Sequence, residues 1–437
     1  MISKYHAVIT IGFTLAILFS PQMSLDKLRL AVSQSFTDNA SEWGSQQSAV
    51  SDRSPERLNS DGTMYGVTLR RTRVYDAQGL QEPKSILWKT LKLFALKPDQ
   101  TFSGKMEARS LFGDMPTYHT ALNLIRADKE AYFSMYIDNG YWFVIDLQTG
   151  EAKKKFKLRN GNFSTPVVAG DLLFLGASDG SFSAFDRRDW SARWQIGKKG
   201  YRFDGASPAV AEGTIFFGGA EDINQPNMRP RGSVHAVDAL TGTQKWMFTV
   251  KGRPTPIAVA DEVLYFGDDD RHLFAVNAKN GQEIWRFTAS GNIRTPAIMD
   301  GRAFFSDDGG NLYAVDLKHG QIIWKAAKQN RVATPLAAYN KLIYYGGREN
   351  SLYAVDTLTG QEKWVYRTTK PCLGPVVANG VIYVSSLDNA LLAIDAGIGQ
   401  EKWKYKIQRP LYSHPVIANG VIYFLDEEGV MYALGSA

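Results

Sequence analysis

Cysteine is almost absent from the 437 residues of this chain, since Cys372 is the only one. A single cysteine excludes an internal disulfide, a CxxC zinc site and a CxxCH haem attachment. Common catalytic signatures are missing as well: the sequence has no G-x-S-x-G, no HExxH and no P-loop, and its six histidines show no metal-ligand spacing. The sequence therefore favours a binding protein over an enzyme.

Long apolar runs are also scarce. The one near the start, Ala7 to Phe19, follows Lys4 and precedes Pro21, which fits a secretory signal better than a full membrane span. We expect residues 1–33 to be a signal peptide or an uncleaved signal anchor, without the cysteine that acylation needs. Residues 34–83 are rich in polar residues, which predicts a largely disordered tether. The protein is thus expected to be exported, and to be periplasmic or membrane-anchored facing the periplasm or cell exterior.

What the sequence does contain is a repeat. The phrase "NLYAVDLKHGQIIWK" recurs in variants such as "SLYAVDTLTGQEKWVY". The Asp or Asn after its central apolar triplet marks each copy: Asp146, Asp186, Asp238, Asn277, Asp316, Asp356 and Asp395. A period near forty residues with alternating apolar positions is typical of a four-stranded β-propeller blade. The fold class is therefore predicted to be all-β.

The two ends of the repeat region predict how the ring closes. The last copy stops after its third strand, whereas Lys84 to Leu93 resembles an isolated fourth strand. We expect this N-terminal strand to complete the last sheet, so that residues 84–437 form an eight-bladed propeller without a weak open edge.

The copies share the pattern A-x-[DN]-x-x-x-G-x-x-x-W. Asp is expected to cap the turn, Gly to supply its positive φ, and Trp to dock one blade on the next. The predicted docking residues are Trp88, Trp194, Trp246, Trp285, Trp324, Trp364 and Trp403. Two positions depart from the pattern, because Lys154 replaces a tryptophan and Trp190 replaces a glycine. Those blades are expected either to dock loosely or to serve as the variable face, and Trp190→Gly is expected to cost little stability because it restores the motif.

This motif resembles the quinoprotein-type propellers and, among them, the pyrroloquinoline quinone (PQQ)-like repeat proteins. That family includes calcium- and PQQ-dependent dehydrogenases and also non-enzymatic envelope proteins such as the outer-membrane assembly factor BamB. The dehydrogenases typically carry a vicinal cysteine pair beside the quinone, which this chain lacks. Its acidic clusters, which begin at Asp268, Asp307 and Asp426, are interpreted as solvated turns and not as calcium ligands. No cofactor is expected. PQQ and calcium would be expected only if the chain were a quinoprotein dehydrogenase.

A cation precedes the innermost strand in seven copies of the repeat, and five of these cations are taken as a candidate rim for anions or partners: Arg253, Arg294, Arg331, Lys370 and Arg409. The alternative is that they pair with acidic turn residues on the same face. The long loop from Asp222 to Arg231 joins the rim as a candidate contact. The resemblance implies a non-catalytic scaffold for envelope proteins, with a membrane tether through the N-terminus and no nucleic acid. A PQQ-dependent alcohol or sugar dehydrogenase and a ligand- or carbohydrate-binding sensor are the alternatives.

Overall fold

The computed structural model describes part of the chain, in a series of ranges: residues 74–75, 85–89, 125–127, 129–135, 141–157, 164–222, 230–327, 332, 334–347, 349–411, 413–418, 420–426 and 430–435. All regular structure in these ranges is β. They include no helix long and apolar enough to cross a membrane. The predicted signal segment 1–33 lies outside them, as does all of the predicted tether except Val74–Tyr75.

Within the described ranges, thirty-three strands form eight sheets. Two strands precede the ring: β1 (Val74–Tyr75) and β2 (Ser85–Lys89). Blades 1 to 4 follow in chain order: β3 (Ile125–Ala127), β4 (Glu130–Met135), β5 (Tyr141–Asp146), β6 (Ala152–Lys157); β7 (Val167–Ala169), β8 (Leu172–Gly176), β9 (Ser181–Asp186), β10 (Ala192–Gly197); β11 (Tyr201–Ala211), β12 (Thr214–Glu221), β13 (Gly232–Asp238), β14 (Gln244–Val250); β15 (Ala258–Ala260), β16 (Val263–Gly267), β17 (His272–Asn277), β18 (Glu283–Thr288).

The remaining blades repeat the same order of four antiparallel strands, here named A to D from the centre outward. Blades 5 to 8 are: β19 (Ala297–Met299), β20 (Arg302–Ser306), β21 (Asn311–Asp316), β22 (Ile322–Ala327); β23 (Ala337–Tyr339), β24 (Leu342–Gly347), β25 (Ser351–Asp356), β26 (Glu362–Arg367); β27 (Val376–Ala378), β28 (Val381–Ser386), β29 (Ala390–Asp395), β30 (Glu401–Lys406); β31 (Val416–Ala418), β32 (Val421–Leu425), β33 (Met431–Gly435). The predicted eight-bladed propeller is confirmed.

Ring closure follows the prediction. The outer strand of blade 8 is β2, which pairs antiparallel with β33 and sets Trp88 opposite Ala433. The inner strands β3 and β31 also contact each other, so blade 1 lies beside blade 8. A segment from the N-terminal part of the chain therefore supplies the strand that the last repeat lacks.

Turn chemistry explains why each repeat folds as a blade. The A–B turns of blades 3 to 7 place two successive residues at positive φ, as at Asp300 (49°) and Gly301 (68°), which is the geometry of a two-residue hairpin. At the C–D turn, the Asp or Asn of the repeat binds the next main-chain N–H groups. Asp356 Oδ1, for example, accepts hydrogen bonds from the N–H groups of Leu358 (2.9 Å) and Thr359 (3.0 Å). These bonds lower the pKa of Asp356, although burial opposes the shift.

The described docking tryptophans join neighbouring blades through one repeated contact. The indole N–H donates to a main-chain carbonyl of the next blade, as Trp285 does to Leu317 (2.8 Å) and Trp324 to Thr357 (2.9 Å). The same bond, at 2.9 to 3.2 Å, is made by Trp194, Trp246 and Trp364. Trp403 is buried against Tyr383, and the side chain of Trp88 lies outside the described part.

The repeat glycine has a second role that the pattern alone did not reveal. A Cβ on Gly320 would lie 2.5 Å from the Trp285 ring, and one on Gly360 would lie 2.7 Å from the Trp324 ring. The glycine is thus required both for its φ, +67° at Gly320, and because an indole of the preceding blade covers its Cα. Within each blade, the repeat alanine is the cross-strand partner of the tryptophan, as Ala314 is of Trp324.

The junction of blades 1 and 2 bears on one expectation. Trp190 adopts φ 63° in the glycine position, and its ring lies 6.2 Å from Tyr132 at an angle of 49°. In the other blades, the docking indole lies 5.8 to 6.1 Å from the equivalent strand B aromatic, at 36° to 50°. Trp190 therefore supplies, from blade 2, the indole that Lys154 cannot supply from blade 1. These contacts argue against the expectation that Trp190→Gly costs little, and that expectation stays a prediction to be tested.

A second change accompanies this exchange. The cross-strand partner of the exposed Lys154 is Val144, where the repeat has alanine. The larger side chain is accommodated because no indole projects from position 154. Trp190 packs beside the buried residues Tyr132, Val144 and Val168. The junction is a rearranged dock and not a loose one.

Candidate functional site

One face of the ring carries both the D–A segments and the B–C turns, and we call this face the mouth. The two are joined by isolated bridges between residues of each pair: Pro254–Asp268, Ile293–Asp307, Val332–Gly347, Cys372–Ser386 and Leu411–Asp426. Hydroxyls in the D–A segments strengthen the joint, as where Thr255 Oγ1 accepts the N–H of Gly267 at 2.8 Å. At the mouth, the D–A segments and the B–C turns are therefore held together by hydrogen bonds. The cations before strand A lie on this face, beside the acidic turns.

The first acid of each B–C cluster is buried, which corrects the interpretation of these clusters as solvated turns. Asp307 is 1% exposed and Asp426 is 0% exposed. Each carboxylate accepts a tyrosine hydroxyl from its own strand C, Tyr313 at 2.8 Å and Tyr432 at 3.0 Å. Their other oxygens cap the turn, because Asp307 Oδ1 accepts the N–H of Asn311 at 2.9 Å.

Asp268 occupies the same position in blade 4 but lacks the tyrosine. Phe274 stands at that place, stacked on Phe266 as Tyr313 is on Phe305. Asp268 Oδ2 is buried without a hydrogen-bond donor among the described residues. Nδ1 of the neighbouring His272 makes no hydrogen bond there either, although it lies 3.5 Å from Asp268 Oδ1. Burial raises the pKa of Asp268. Among the described acidic clusters, the blade 4 turn has the buried aspartate but lacks the tyrosine hydroxyl that binds Asp307 and Asp426.

The second acid of the turn binds the D–A segment through main chain. Asp269 Oδ1 accepts the N–H of Arg253 at 2.6 Å, and Asp308 Oδ1 accepts the N–H of Asn292 at 3.0 Å. The guanidinium of Arg253 is not used in this contact. Among the described carboxylates, none lies within ion-pair distance of Arg253 or Lys370, and both side chains are exposed.

The other rim cations differ in their surroundings. Arg294 and Arg409 are half-buried, whereas Arg331 lies outside the described residues. Arg202, which lies in the extended blade 3 inner strand β11, pairs with Asp222 at 3.7 Å. The structure therefore supports acid pairing at Arg202 and exposed cations at Arg253 and Lys370.

Blade 3 rises above the rest of the mouth. Its strands β11 and β12 are longer than their counterparts and pair as far as Tyr201 and Glu221. The predicted loop Asp222–Arg231 starts from this extension; its residues 223–229 lie outside the described part. The pairing places the loop ends at the mouth, with Arg231 N–H on Glu221 Oε2 at 3.2 Å.

Sequence reasoning missed a buried polar chain beneath this extension. Tyr201 OH lies 2.5 Å from Ser233 Oγ, which lies 2.8 Å from His235 Nε2, and His235 Nδ1 faces Gln244 Oε1 at 3.4 Å. His235 is stacked on Phe217, and burial lowers its pKa to about 4. Ser233 is 3% exposed and His235 is 6% exposed, so the chain is closed to a substrate.

Arg271 is a second feature of the mouth that the repeat pattern did not predict. It lies in the B–C turn of blade 4 with φ 72°, a conformation that branched or long side chains seldom adopt, and its side chain is exposed. It adds a further cation to the blade 4 mouth beside Arg253. The repeat pattern does not indicate that Arg271 lies near Arg253, because that proximity follows from the position of the B–C turn in the fold.

The donor set does not suit calcium. Within the described residues, no group of three or more His, Cys, Asp or Glu is arranged to hold a metal ion. Calcium takes six to eight oxygens, whereas both oxygens of Asp307 and of Asp426 already accept hydrogen bonds from their own blades. The lone Cys372 is buried, and burial raises its pKa to about 11, so the thiol stays protonated at neutral pH.

The repeat matches the family model described as "Outer membrane protein assembly factor BamB" over residues 133–256, 269–376 and 372–437. The chain belongs to this family of PQQ-like repeat propellers. No curated protein matches it.

Solved structures share the fold at low identity. BamB from Moraxella catarrhalis is 14% identical, with a TM-score of 0.54 over 72% of this chain and 94% of that one. The quinohemoprotein alcohol dehydrogenase of Comamonas testosteroni is 13% identical, with a TM-score of 0.65 over 86% and 81%. The computationally designed Ika8 protein is 14% identical, with a TM-score of 0.62 over 73% and 97%. An assembly factor, an enzyme and a design thus share one ring, and the fold alone does not select a function.

Proposed function

We propose that this protein is an exported, non-catalytic scaffold of the cell envelope that binds protein partners at its mouth. The observation that carries the proposal is that Arg253 binds Asp269 through its main-chain N–H and not through its side chain. The guanidinium of Arg253 is therefore left exposed. Such cations steer and orient an acidic partner more than they stabilise the ring.

The family supports this choice over catalysis. Its model is named for an outer membrane assembly factor, which agrees with export and with a role in the envelope. The dehydrogenase alternative needs a calcium site, and the buried Asp307 and Asp426 of the mouth already have their donors. The longer strands β11 and β12 make blade 3 project at the mouth. Loops held by a rigid scaffold are where partners usually bind.

Site-specific photo-crosslinking tests the proposal in intact cells. A photoreactive residue is placed at Arg253 or at Lys370, and the matched controls are the exposed lysines of the opposite face, Lys318 and Lys341. We expect envelope proteins to be captured from the mouth positions and not from the control positions. Equal capture from both faces would contradict a partner site at the mouth.

Charge reversal sharpens the same test. Arg253→Glu with Lys370→Glu should reduce the capture of a partner identified above by about tenfold or more at low salt, with less effect at high salt. Lys318→Glu with Lys341→Glu should leave it unchanged. PQQ-dependent dye reduction by the purified protein, in the presence of calcium, would instead favour the dehydrogenase.

A further inference from the structure

The inner edge of blade 7 carries a strand that no other described blade has. β1 pairs with β27 in parallel, with Val74 beside Val377 and Tyr75 beside Ala378. This makes blade 7 a sheet of five strands, in which β1 lies on the channel side of strand A. β1 also contacts β23 of blade 6. A piece of the N-terminal chain thus lies in the central channel.

The local sequence of β27 does not explain why it is chosen. Its residues are Val-Val-Ala, and β7 of blade 2 has the same three residues without a fifth strand among the described residues. Chain connectivity does explain it. Residues 76–84 join β1 to β2 on blade 8, and such a connection reaches at most roughly 35 Å, which favours an inner edge near blade 8, such as that of the neighbouring blade 7.

An inner edge is suited to hold an extended chain. Strand A of a propeller pairs with strand B on one side and turns its other row of N–H and C=O groups to the channel. The side chains of β27 are small and buried, so a second backbone can approach closely. Recognition then comes from main-chain hydrogen bonds, as in other cases of strand addition.

The direction of β1 links this edge to the mouth. Strand A of each blade starts from a D–A segment at the mouth and runs toward the opposite face. Because β1 is parallel to β27, it runs the same way. An extended peptide that took its place would therefore enter by the mouth, the face proposed above to meet partners.

We propose that Val74–Tyr75 is an intramolecular ligand of the β27 edge, which it closes to other extended peptides. Tethering to β2 gives the segment an effective concentration on the order of millimolar, so a free peptide competes poorly until the segment is disabled. The inference does not depend on the rim cations, and it can hold or fail separately from the proposed function.

Cysteine pairing in the full chain tests whether the segment occupies the edge. Adjacent strands lie about 4.8 Å apart, within the range of Cα separations that a disulfide spans. Tyr75→Cys with Ala378→Cys should therefore crosslink under mild oxidation. The control is Tyr75→Cys with Ala211→Cys, the matching end of strand A in blade 3, across the ring. Crosslinking no better than in the control would overturn the proposal.

Peptide binding tests whether the edge accepts a strand. The probe is a labelled peptide of residues 69–80, measured with the full chain and with its Val74→Pro/Tyr75→Pro variant, whose prolines cannot donate to a ladder. We expect the variant to bind the probe at least about tenfold more tightly, and to reject a probe with the same two prolines. A crosslink without this gain would show that β1 merely packs there, and would also overturn the proposal.

Discussion

The rearranged dock between blades 1 and 2 predicts a mutational cycle in which a lost tryptophan can be restored from the other side. Trp190→Gly removes the indole that packs on Tyr132, and Lys154 cannot fill the space. Removing a packed tryptophan costs about 3–5 kcal/mol, and releasing a non-glycine residue from φ 63° returns roughly 1 kcal/mol. We expect a net loss of about 2–4 kcal/mol of unfolding free energy.

The compensating variant is Val144→Ala/Lys154→Trp/Trp190→Gly, which rebuilds the repeat pattern at this junction. It should recover most of the loss, because the new indole would dock on the glycine introduced at position 190 as Trp285 docks on Gly320. Stability is measured by urea unfolding followed by far-ultraviolet circular dichroism, since tryptophan fluorescence changes with the substitutions themselves. If Trp190→Gly unfolds like the wild type, or if the triple variant is no more stable than Trp190→Gly, the exchange of indoles is refuted.

Three further predictions rest on the described contacts. Phe274→Tyr should stabilise the protein by about 1 kcal/mol in denaturant unfolding, because its hydroxyl would supply the donor that Asp268 Oδ2 lacks among the described residues. Gly320→Ala should cost clearly more than Gly301→Ala: both have positive φ, but only the first Cβ would meet an indole, at 2.5 Å. The folded-state pKa of His235 is about 4, below the ordinary 6.5, so its contribution to stability is complete above pH 6.5 and is lost as the pH falls toward 4. Its replacement by Phe should flatten the acid limb of the stability curve by up to roughly 1.4 kcal/mol per pH unit.

Each of these has a result that would contradict it. Tyr313→Phe is the reciprocal of Phe274→Tyr and should destabilise the ring; equal melting of both variants and the wild type would remove the argument from the hydroxyl. A similar cost for both glycine substitutions would show that only φ matters. An acid limb that is as steep in the His235→Phe variant as in the wild type would assign the pH dependence to other groups.

The ring itself could be predicted because each repeat encodes its own turns. Asp356, Gly360 and Trp364 act within one blade or on its immediate neighbour, and the linear pattern contains all three. The closing strand could also be predicted, because Trp88 carries the motif in a segment that stands apart from the repeats. Local chemistry repeated many times is the kind of information that a single sequence holds.

The unpredicted features depend on contacts between repeats. In the sequence, Trp190 is only a departure from the glycine of the repeat. Its role is evident only from the structure, which places it where the tryptophan replaced by Lys154 would dock. Asp307 reads as a solvated turn until the D–A segment covers it and Tyr313 reaches its carboxylate. The strand β1 follows from no pattern, since Val74–Tyr75 lies in a polar stretch and its site on β27 is shared in sequence by β7.

The pairing of β2 with β33 also bears on how the protein is made. The strand Ser85–Lys89 leaves the ribosome early, but its partner Met431–Gly435 is translated more than three hundred residues later. Synthesis proceeds at about 5–20 residues per second, so β2 waits roughly 20–70 seconds for its partner, with its edge open to other strands. The ring cannot close before the last blade has been synthesised, and until then chaperones would have most to protect.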